Sequence, residues 1–274
     1  WRADGMIRFM SLASGSTGNC YYLEHDGQGL LIDAGIALYD IKTGLEQAGL
    51  SLEHDVQAIL LTHNHADHAR TVGKLANRYG LPVYATHPVQ CGLDYMRGME
   101  RIKHDMRYAI EPEVPFELIG LVVTPFSVPH DSADNVGYHI SSADGFSFTL
   151  ATDIGHLTPT IEYYASLAHH LVLESNYDPE MLRIGKYPPF LKKRISGPLG
   201  HLSNDESVEF LCRIWQPTMR NVFLCHLSKE NNHPELVRKT FDIRLFAEGI
   251  RVGKDVYVTP LQRNHCSPMY LLET

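Results

Sequence analysis

Residues 60–70 read LLTHNHADHAR and place four metal-capable side chains within six positions. The four are His63, His65, Asp67 and His68. A catalytic zinc ion usually takes about three ligands from the protein and leaves one position open, so one ion does not need all four. Two ions about 3.5–4 Å apart can share them. The loop therefore predicts half of a dinuclear site, with His63 and His65 on one ion and Asp67 and His68 on the other.

The pattern around this loop predicts an α/β fold. Residues 56–62, VQAILLT, form a continuous apolar run that is typical of a strand buried on both faces. Apolar residues then recur at helical spacing up to Tyr79, and Gly80 ends the predicted helix. Four extended segments follow in residues 114–152, and helices and strands alternate afterwards. We therefore expect two central sheets with helices packed outside them.

The composition predicts one soluble domain. The chain has 274 residues, of which 44% are apolar and 20% charged, and it has no linker-like or repeated segment. We expect a single domain over residues 1–274, with residues 1–5 as a possible appendage before Met6. There is no apolar run of about 18 residues and no signal-peptide pattern, so no membrane association is expected.

Cysteine content and charge bear on location and partners. The five cysteines show no paired spacing, which favours free thiols and a cytoplasmic protein over a disulfide framework. The net charge of −8 argues against nucleic-acid binding by the whole surface. A local basic strip remains compatible with that charge.

Three further metal-capable residues follow predicted strands. They are His130 in FSVPHDSADN, Asp153 in LATDIGH and His226 in VFLCHLS. A carboxylate can bridge two ions, so Asp153 would be the bridge, with His130 on the first ion and His226 on the second. From spacing alone, each is equally compatible with an ordinary hydrogen-bonded residue. A set of nitrogen and oxygen donors favours two zinc ions, with manganese or iron as alternatives.

The motifs support a family assignment by resemblance. THNHADH, residues 62–68, resembles the signature of the metallo-β-lactamase superfamily, and LIDAG, residues 31–35, resembles its first motif. The resemblance implies an αββα sandwich, that is, two mixed sheets flanked by helices with the metals at one sheet edge. It also implies that the three later residues are ligands and that Asp33 steadies the histidine loop without binding metal.

Longer stretches are similar to the YycJ/WalJ group of that superfamily. They are SLASGSTGNCYYLE at 11–24, PHDSADNVGY at 129–138, GPLGHLSNDES at 197–207 and LCHLSKENNHPEL at 224–236. This resemblance implies a cytoplasmic bacterial metallohydrolase with exonuclease-like action on DNA. Asn64 and Ala66 replace an acidic residue and a serine of many relatives, and neither is a ligand position.

The expected reaction is hydrolysis of a phosphodiester by a hydroxide that bridges the two metal ions. His201 resembles the extra histidine of tRNase Z-like phosphodiesterases, which implies a general acid that protonates the leaving alkoxide. The alternative for His201 is a helix N-terminal residue hydrogen-bonded to its neighbours. Asp67 is expected to act in catalysis as well as in metal binding.

Substrate contacts are predicted from charge and position. Residues 181–200 contain five basic residues and no acid, so Lys192 and Lys193 would bind a phosphate backbone; a solvated basic face is the alternative. Polar residues close to His201 and His226 are predicted to donate hydrogen bonds to phosphate oxygens. They are Ser203, Ser228, Asn231 and Asn232.

The leading hypothesis is a dinuclear phosphodiesterase acting on nucleic acid, with DNA ends as the favoured substrate. Three alternatives remain: a small-molecule or cyclic-nucleotide phosphodiesterase, a glyoxalase-type thioester hydrolase, and a metal-binding regulatory protein with incidental activity. A thioester hydrolase leaves His201 without a role.

Overall fold

The computed structural model describes residues 6–273 and contains two mixed β-sheets flanked by helices. The suggested appendage, residues 1–5, lies outside the described residues. No helix within residues 6–273 is both long enough and apolar enough to cross a membrane.

The first sheet has seven strands within the described residues. They are β1 (Ile7–Ala13), β2 (Cys20–His25), β3 (Gln28–Ile32), β4 (Val56–Leu60), β5 (Val83–Thr86), β6 (Arg107–Ile110) and β14 (Tyr270–Leu272). Their order across the sheet is β14-β1-β2-β3-β4-β5-β6. β1 and β2 pair antiparallel, whereas β3 and β4 pair parallel with Ile32 opposite Leu60. The carboxyl ends of β3 and β4 therefore lie side by side.

The second sheet also has seven strands in the described part of the chain. They are β7 (Phe116–Leu118), β8 (Leu121–Ser127), β9 (Val136–Ser141), β10 (Ser147–Ala151), β11 (His170–Glu174), β12 (Asn221–Cys225) and β13 (Tyr257–Pro260). Their order is β13-β12-β11-β10-β9-β8-β7. β10, β11 and β12 are parallel neighbours, so their carboxyl ends meet at one edge.

The helices lie between the strands in sequence, as the pattern predicts. They are α1 (Leu38–Gln47), α2 (Ala66–Ala69), α3 (Val72–Tyr79), α4 (His87–Leu93), α5 (Pro159–Ser166), α6 (Pro179–Ile184), α7 (Pro189–Ile195), α8 (Asn204–Ile214) and α9 (Pro234–Ala247). α3 ends at Gly80, whose left-handed φ of 67° is a conformation that glycine adopts readily. The four extended segments predicted in residues 114–152 are β7 to β10.

The chain forms two compact units. The first contains the described residues up to Pro125, with Ser132–Asn135 and the residues from Gln262 onward. The second contains Phe126–Asp131 and Val136–Leu261. That all of these residues make up a single domain stays a prediction.

Each unit has its own apolar core. Leu31, Ile59 and Leu75 are fully buried in the core of the first unit, where α1 and α3 cover the sheet. Leu173 and Phe241 are fully buried in the core of the second unit. Burial of one such side chain contributes about 1.5–3 kcal/mol, so these cores hold the strand ends in fixed positions.

Candidate metal centre

Three residues of the candidate site follow strands and have left-handed backbone conformations. Asp33 follows β3 with φ 61°, Asp153 follows β10 with φ 54°, and His226 follows β12 with φ 55°. Positive φ is uncommon outside glycine and typically marks a position held by its surroundings. The three residues therefore leave their strands with side chains fixed by the local fold.

The first unit brings the four residues of the histidine loop together. The ring of His63 lies 4.8 Å from that of His65 and 4.2 Å from that of His68, measured between centroids. Asp67 Oδ2 is 3.6 Å from His68 Nε2. Asp67 and His68 belong to α2, and His65 is its N-cap residue. His63 and His68 are fully buried, and Asp67 is partly exposed.

Asp33 orients two histidines of this loop. Its Oδ2 accepts a hydrogen bond from His68 Nδ1 at 2.7 Å. It also accepts from the Thr62 hydroxyl, and that hydroxyl lies 2.9 Å from His63 Nδ1. When Nδ1 of a neutral imidazole is the donor, Nε2 carries the lone pair. The contacts therefore favour the tautomer in which Nε2 of both histidines is the ligand atom.

Two close backbone approaches hold the loop against its neighbours. A Cβ at Gly35 would lie 1.7 Å from the Asp67 carbonyl oxygen, so only glycine fits there. The backbone N–H of Asn19 donates to the same oxygen at 2.7 Å. The side-chain amide of Asn19 also lies 3.0 Å from His68 Nε2. A metal ion on that nitrogen would replace this amide contact.

The second unit brings together the remaining predicted ligands. His130 Nδ1 donates to the Gly200 carbonyl at 3.1 Å, and its Nε2 lies 3.6 Å from Asp153 Oδ1. Asp153 Oδ1 is also 3.6 Å from Nδ1 of His226. Asp153 and His226 are buried to 98% or more. Buried ionisable groups are stable only when they are paired or bind a cation.

Glu174 is a buried carboxylate of this cluster that the sequence motifs did not indicate. It ends β11, is fully buried, and its Oε1 lies 2.8 Å from His201 Nδ1 and 2.9 Å from His226 Nδ1. Its Oε2 accepts from the backbone N–H groups of Ile154 and Leu202. The available signal was an acidic residue that ends the apolar run HLVLE. Four donors on one buried carboxylate make it the centre of this cluster.

The pKa of the Glu174 carboxyl lies below its ordinary value. Burial acts to raise this pKa, but the charge of His201 and the hydrogen bonds from His201 and His226 outweigh burial. Glu174 is therefore the ionised partner of both imidazoles.

His201 is more exposed than His226, the predicted ligand that contacts the same carboxylate. Its backbone N–H donates to the Ile195 carbonyl, and a Cβ at Gly200 would lie 2.1 Å from that carbonyl oxygen. The side chain is 14% exposed, whereas that of His226 is 2% exposed. With Nδ1 on Glu174, Nε2 is the nitrogen that can exchange a proton with a bound molecule.

The donor set fits divalent metal ions. Nδ1 of His68, His201 and His226 contacts a carboxylate, and Nδ1 of His63 and His130 contacts a hydroxyl and a carbonyl oxygen respectively. Metal-binding histidines almost always donate their second ring nitrogen in this way. In the second unit, ligand atoms of Asp153, Glu174, His201 and His226 all lie within 4.8 Å of one another. Imidazole and carboxylate donors suit zinc, and also manganese or iron.

The residues predicted to bind phosphate have structural contacts. Ser203 is the N-cap of α8, where it forms a capping box with Glu206. The Asn232 amide donates to the carbonyls of Ser175 and Asn176 and is 2% exposed. Contact of Ser203 and Asn232 with substrate stays a prediction.

Ser228 and Asn231 lie next to each other in the loop after β12. Ser228 Oγ accepts from the Asn231 backbone N–H at 3.2 Å. The side-chain amide of Asn231 is buried. Within the described residues, neither its Oδ1 nor its Nδ2 has a hydrogen-bond partner. A substrate role for these two residues also stays a prediction.

The basic strip, residues 181–200, forms α6 and α7 and is partly neutralised. Arg183 forms an ion pair with Glu180, and Arg194 forms one with Asp131. Lys192 donates to a backbone carbonyl through Nζ, and Lys193 is exposed. Phe190 on α7 is 75% exposed. The lysines and Phe190 are therefore the strip residues best able to contact a ligand.

The chain is similar in sequence to known proteins. The Beta-lactamase superfamily domain matches residues 29–226. Exodeoxyribonuclease YycJ of Bacillus anthracis is 34% identical over 248 residues, which cover 90% of this chain and 92% of that protein. Exodeoxyribonuclease WalJ of Streptococcus pneumoniae is 33% identical over 263 residues, 96% of this chain and 97% of that protein.

A solved structure confirms the fold. The structure of Zn²⁺-bound PqqB from Methylobacterium extorquens superposes with a TM-score of 0.71 and covers 95% of this chain and 99% of its own. At 19% identity this likeness concerns the fold alone. This likeness confirms the expected two mixed sheets flanked by helices, and the two exodeoxyribonuclease relatives with the family match confirm the expected hydrolytic enzyme. The chain belongs to the metallo-β-lactamase superfamily and, within it, to the YycJ/WalJ group.

Proposed function

We propose that the protein is a two-metal phosphodiesterase that hydrolyses DNA from its ends. The contact between Glu174 and His201 carries this proposal, because it provides a proton donor beyond the seven predicted metal ligands. A phosphodiester needs such a donor, since its alkoxide leaving group is a strong base. The two relatives named as exodeoxyribonucleases support the choice of DNA.

The metal ligands in this proposal are the seven that the sequence motifs predict: His63, His65, Asp67, His68, His130, Asp153 and His226. We propose zinc as the metal, because the donors are mainly imidazole. Two such ions, when bound, lower the pKa of water towards neutrality and neutralise charge on phosphate oxygens. The buried carboxylate of Asp153 supplies the negative charge that a second cation requires.

The protein's own groups then handle the protons. His201 Nε2 carries the proton that passes to the leaving oxygen, while Glu174 Oε1 holds the Nδ1–H and stabilises the charged imidazole. Asp67 would be one of the residues that hold an ion, and its carboxylate orients the attacking water. Asp67 is partly exposed, which gives this carboxylate access to solvent.

Substrate binding is assigned to the basic strip and the loop after β12. Lys192 and Lys193 contact the backbone phosphates, and the exposed ring of Phe190 stacks on a base. Ser203, Ser228 and Asn231 donate hydrogen bonds that position the strand end, and Asn232 supports them. The carbonyl-bound Asn232 would act by holding the loop rather than by direct contact.

A bacterial, cytoplasmic setting is part of the proposal. The two curated relatives come from bacteria, and all five cysteines are free thiols. Free thiols persist in reducing compartments. Fractionation of the source cells tests this assignment. Recovery of the protein outside the soluble cytoplasmic fraction would contradict it.

One experiment separates this function from its alternatives. Purified protein loaded with Zn²⁺ or Mn²⁺ is incubated with end-labelled single- and double-stranded DNA, RNA, a cyclic dinucleotide and a glutathione thioester. We expect mononucleotides from linear DNA and no cleavage of closed circular DNA. Thioester or cyclic-dinucleotide hydrolysis without DNA hydrolysis would refute the proposal.

A further inference from the structure

Asn176 is a buried asparagine that lies two residues after Glu174 and is 3% exposed. Its side-chain amide donates a hydrogen bond to the carbonyl oxygen of His226 at 2.8 Å. His226 has a left-handed φ of 55°, a conformation that is unfavourable for residues with a side chain and persists only where the surroundings hold it. The amide of Asn176 therefore stabilises the backbone conformation of a predicted metal ligand.

The backbone of Asn176 connects the chain segments that carry His201 and His226. Its N–H donates at 2.9 Å to the carbonyl of Leu202, the residue after His201. Its carbonyl accepts at 2.8 Å from the N–H of Ser228, two residues after His226. Asn176 therefore lies between the two segments, and both of them fix the place from which its side chain reaches His226.

Two further buried asparagines hold this part of the backbone. Asn204 and Asn232 pair through reciprocal hydrogen bonds of 3.0 and 2.8 Å between their side-chain amides. Asn232 Nδ2 also donates to the carbonyl of Asn176 at 3.0 Å. Both asparagines are almost fully buried, and buried polar networks whose members are hydrogen-bonded are rigid. The position of Asn176 is therefore set by a network and does not depend on one contact.

The hydrogen bond to the carbonyl is compatible with metal binding by the imidazole of His226. Asn176 Nδ2 lies 3.1 Å from His226 Nδ1, and Glu174 Oε1 lies 2.9 Å from the same nitrogen. An amide nitrogen only donates and an ionised carboxylate only accepts, so Nδ1 cannot form a hydrogen bond with both at once. The shorter bond to the carbonyl gives the amide an acceptor and leaves Nδ1–H to Glu174. Nε2 of His226 then carries the lone pair.

We propose that Asn176 is a positioning residue for metal binding, because its amide holds the backbone of His226 in the left-handed conformation from which the imidazole binds an ion. The inference rests on the proposed function, since that function gives His226 a metal ion. It goes beyond the seven predicted ligands and beyond Glu174. Asn176 acts through His226 and not on the substrate.

The test titrates the zinc-loaded protein with a fluorescent chelator, which measures the affinity for each ion without any hydrolysis. N176A should weaken the binding of one of the two ions by about 10–100-fold, the usual effect of removing a group that orients a metal-binding histidine, and that of the other by less than about threefold. A purely structural role would lower stability without selecting one ion. Wild-type affinity for both ions, or equal weakening of both, would overturn the inference.

The matched control is N221A. Asn221 begins β12, and its side-chain amide lies 2.9 Å from Nδ1 of His170, which begins β11. N221A therefore removes an asparagine amide from a histidine at the opposite end of the same two strands, and it should leave the affinity for both ions unchanged. A loss of zinc affinity in N221A equal to that in N176A would contradict a specific role of Asn176.

A second variant, N176D, keeps the size of the side chain and leaves no cavity. Its carboxylate cannot donate to the carbonyl of His226, so the same selective loss of zinc affinity is expected. N176D also provides the test if N176A does not fold, and wild-type zinc affinity in N176D would contradict the inference.

The zinc titration also distinguishes failure of the inference from failure of the proposed function. Selective zinc loss in N176A, in a chain that cleaves no DNA, would retain the role of Asn176 and refute only the proposed function. Cleavage of DNA by the wild type, with zinc affinity unchanged in N176A, would refute only the role of Asn176.

Discussion

Oε1 of Glu174 accepts a hydrogen bond from Nδ1 of His201 at 2.8 Å. The same oxygen lies 2.9 Å from Nδ1 of His226, so one buried carboxylate contacts both the proposed general acid and a proposed metal ligand. A carboxylate in this position raises the basicity of the opposite ring nitrogen and fixes the plane of the ring. The proposed metal binding and proton transfer are thus coupled through a residue that does neither directly.

Replacing Glu174 with glutamine tests that coupling. Four hydrogen-bond donors contact the carboxylate, two at each oxygen. Whichever way the amide of E174Q is turned, its NH₂ group therefore faces two of these donors. We expect a loss of about 10–100-fold in metal affinity or activity, measured by zinc competition with a fluorescent chelator and by DNA hydrolysis. The matched control is E162Q, which alters an exposed carboxylate paired with Arg213. Unchanged zinc affinity and turnover in E174Q would contradict the assignment.

Removing the imidazole of His201 tests its role as the general acid. H201A should reduce kcat on DNA by about 10²–10⁴-fold while the metal content stays the same. The loss on bis(p-nitrophenyl) phosphate should be much smaller, because nitrophenolate leaves without a proton. Equal losses on both substrates would exclude proton donation, and loss of metal in parallel with activity would make His201 a ligand.

Asp33 offers a test that separates metal binding from backbone strain. D33N keeps a side chain that tolerates φ 61° but weakens the hydrogen bond to His68, so zinc affinity should fall by about 10–100-fold. D33A should lose the same affinity and also about 1–2 kcal/mol of stability from the left-handed conformation. Chemical denaturation and zinc competition measure the two effects. Equal stability of D33N and D33A would remove the strain argument.

His139 predicts a pH dependence of stability. Burial lowers the pKa of this imidazole from 6.5 to about 4, and its Nδ1 contacts Thr149 Oγ1. The unfolded chain takes up a proton near pH 6.5 and the folded chain only near pH 4. The contribution to stability is therefore complete above pH 6.5 and is lost as the pH falls through that window, by about 3 kcal/mol in full.

The comparison for His139 is H139Q, which keeps a hydrogen-bond donor but does not titrate. Urea unfolding at pH 7 and at pH 4.5 gives the free energy of unfolding for both proteins. Wild type should lose more stability than H139Q between these two pH values. A parallel loss in both would mean that His139 is protonated in the folded state.

Charge reversal on α7 tests the basic strip. K192E/K193E should weaken single-stranded DNA binding and lower the salt slope by about 1.4, roughly 0.7 for each lysine. K239E/K254E changes the net charge equally at two other exposed positions of the second unit, and it should have a much smaller effect. Equal effects of the two double variants would identify a general charge effect and leave the strip as a solvated face.

Much of the fold was predictable because local patterns decide it. The apolar run VQAILLT became β4, and the spacing of Val72, Leu75 and Tyr79 became α3. The histidine loop lies between these two elements, and its four donors fall within six positions. They therefore lie close together in any fold of the chain. The composition does not indicate that the chain forms two compact units, and this division was not predicted.

The sequence by itself determined the identity of the donors in the histidine loop, because residues within six positions of each other cannot lie far apart. Only the tertiary structure decided that Glu174 meets His201 and His226, 27 and 52 residues further along. The parallel pairing of β11 with β12 sets Glu174 opposite Cys225, one residue before His226. The spacing of residues along the chain does not indicate which strands become neighbours in a sheet. The pairing of β11 with β12 brings the Glu174 carboxylate close to its partners.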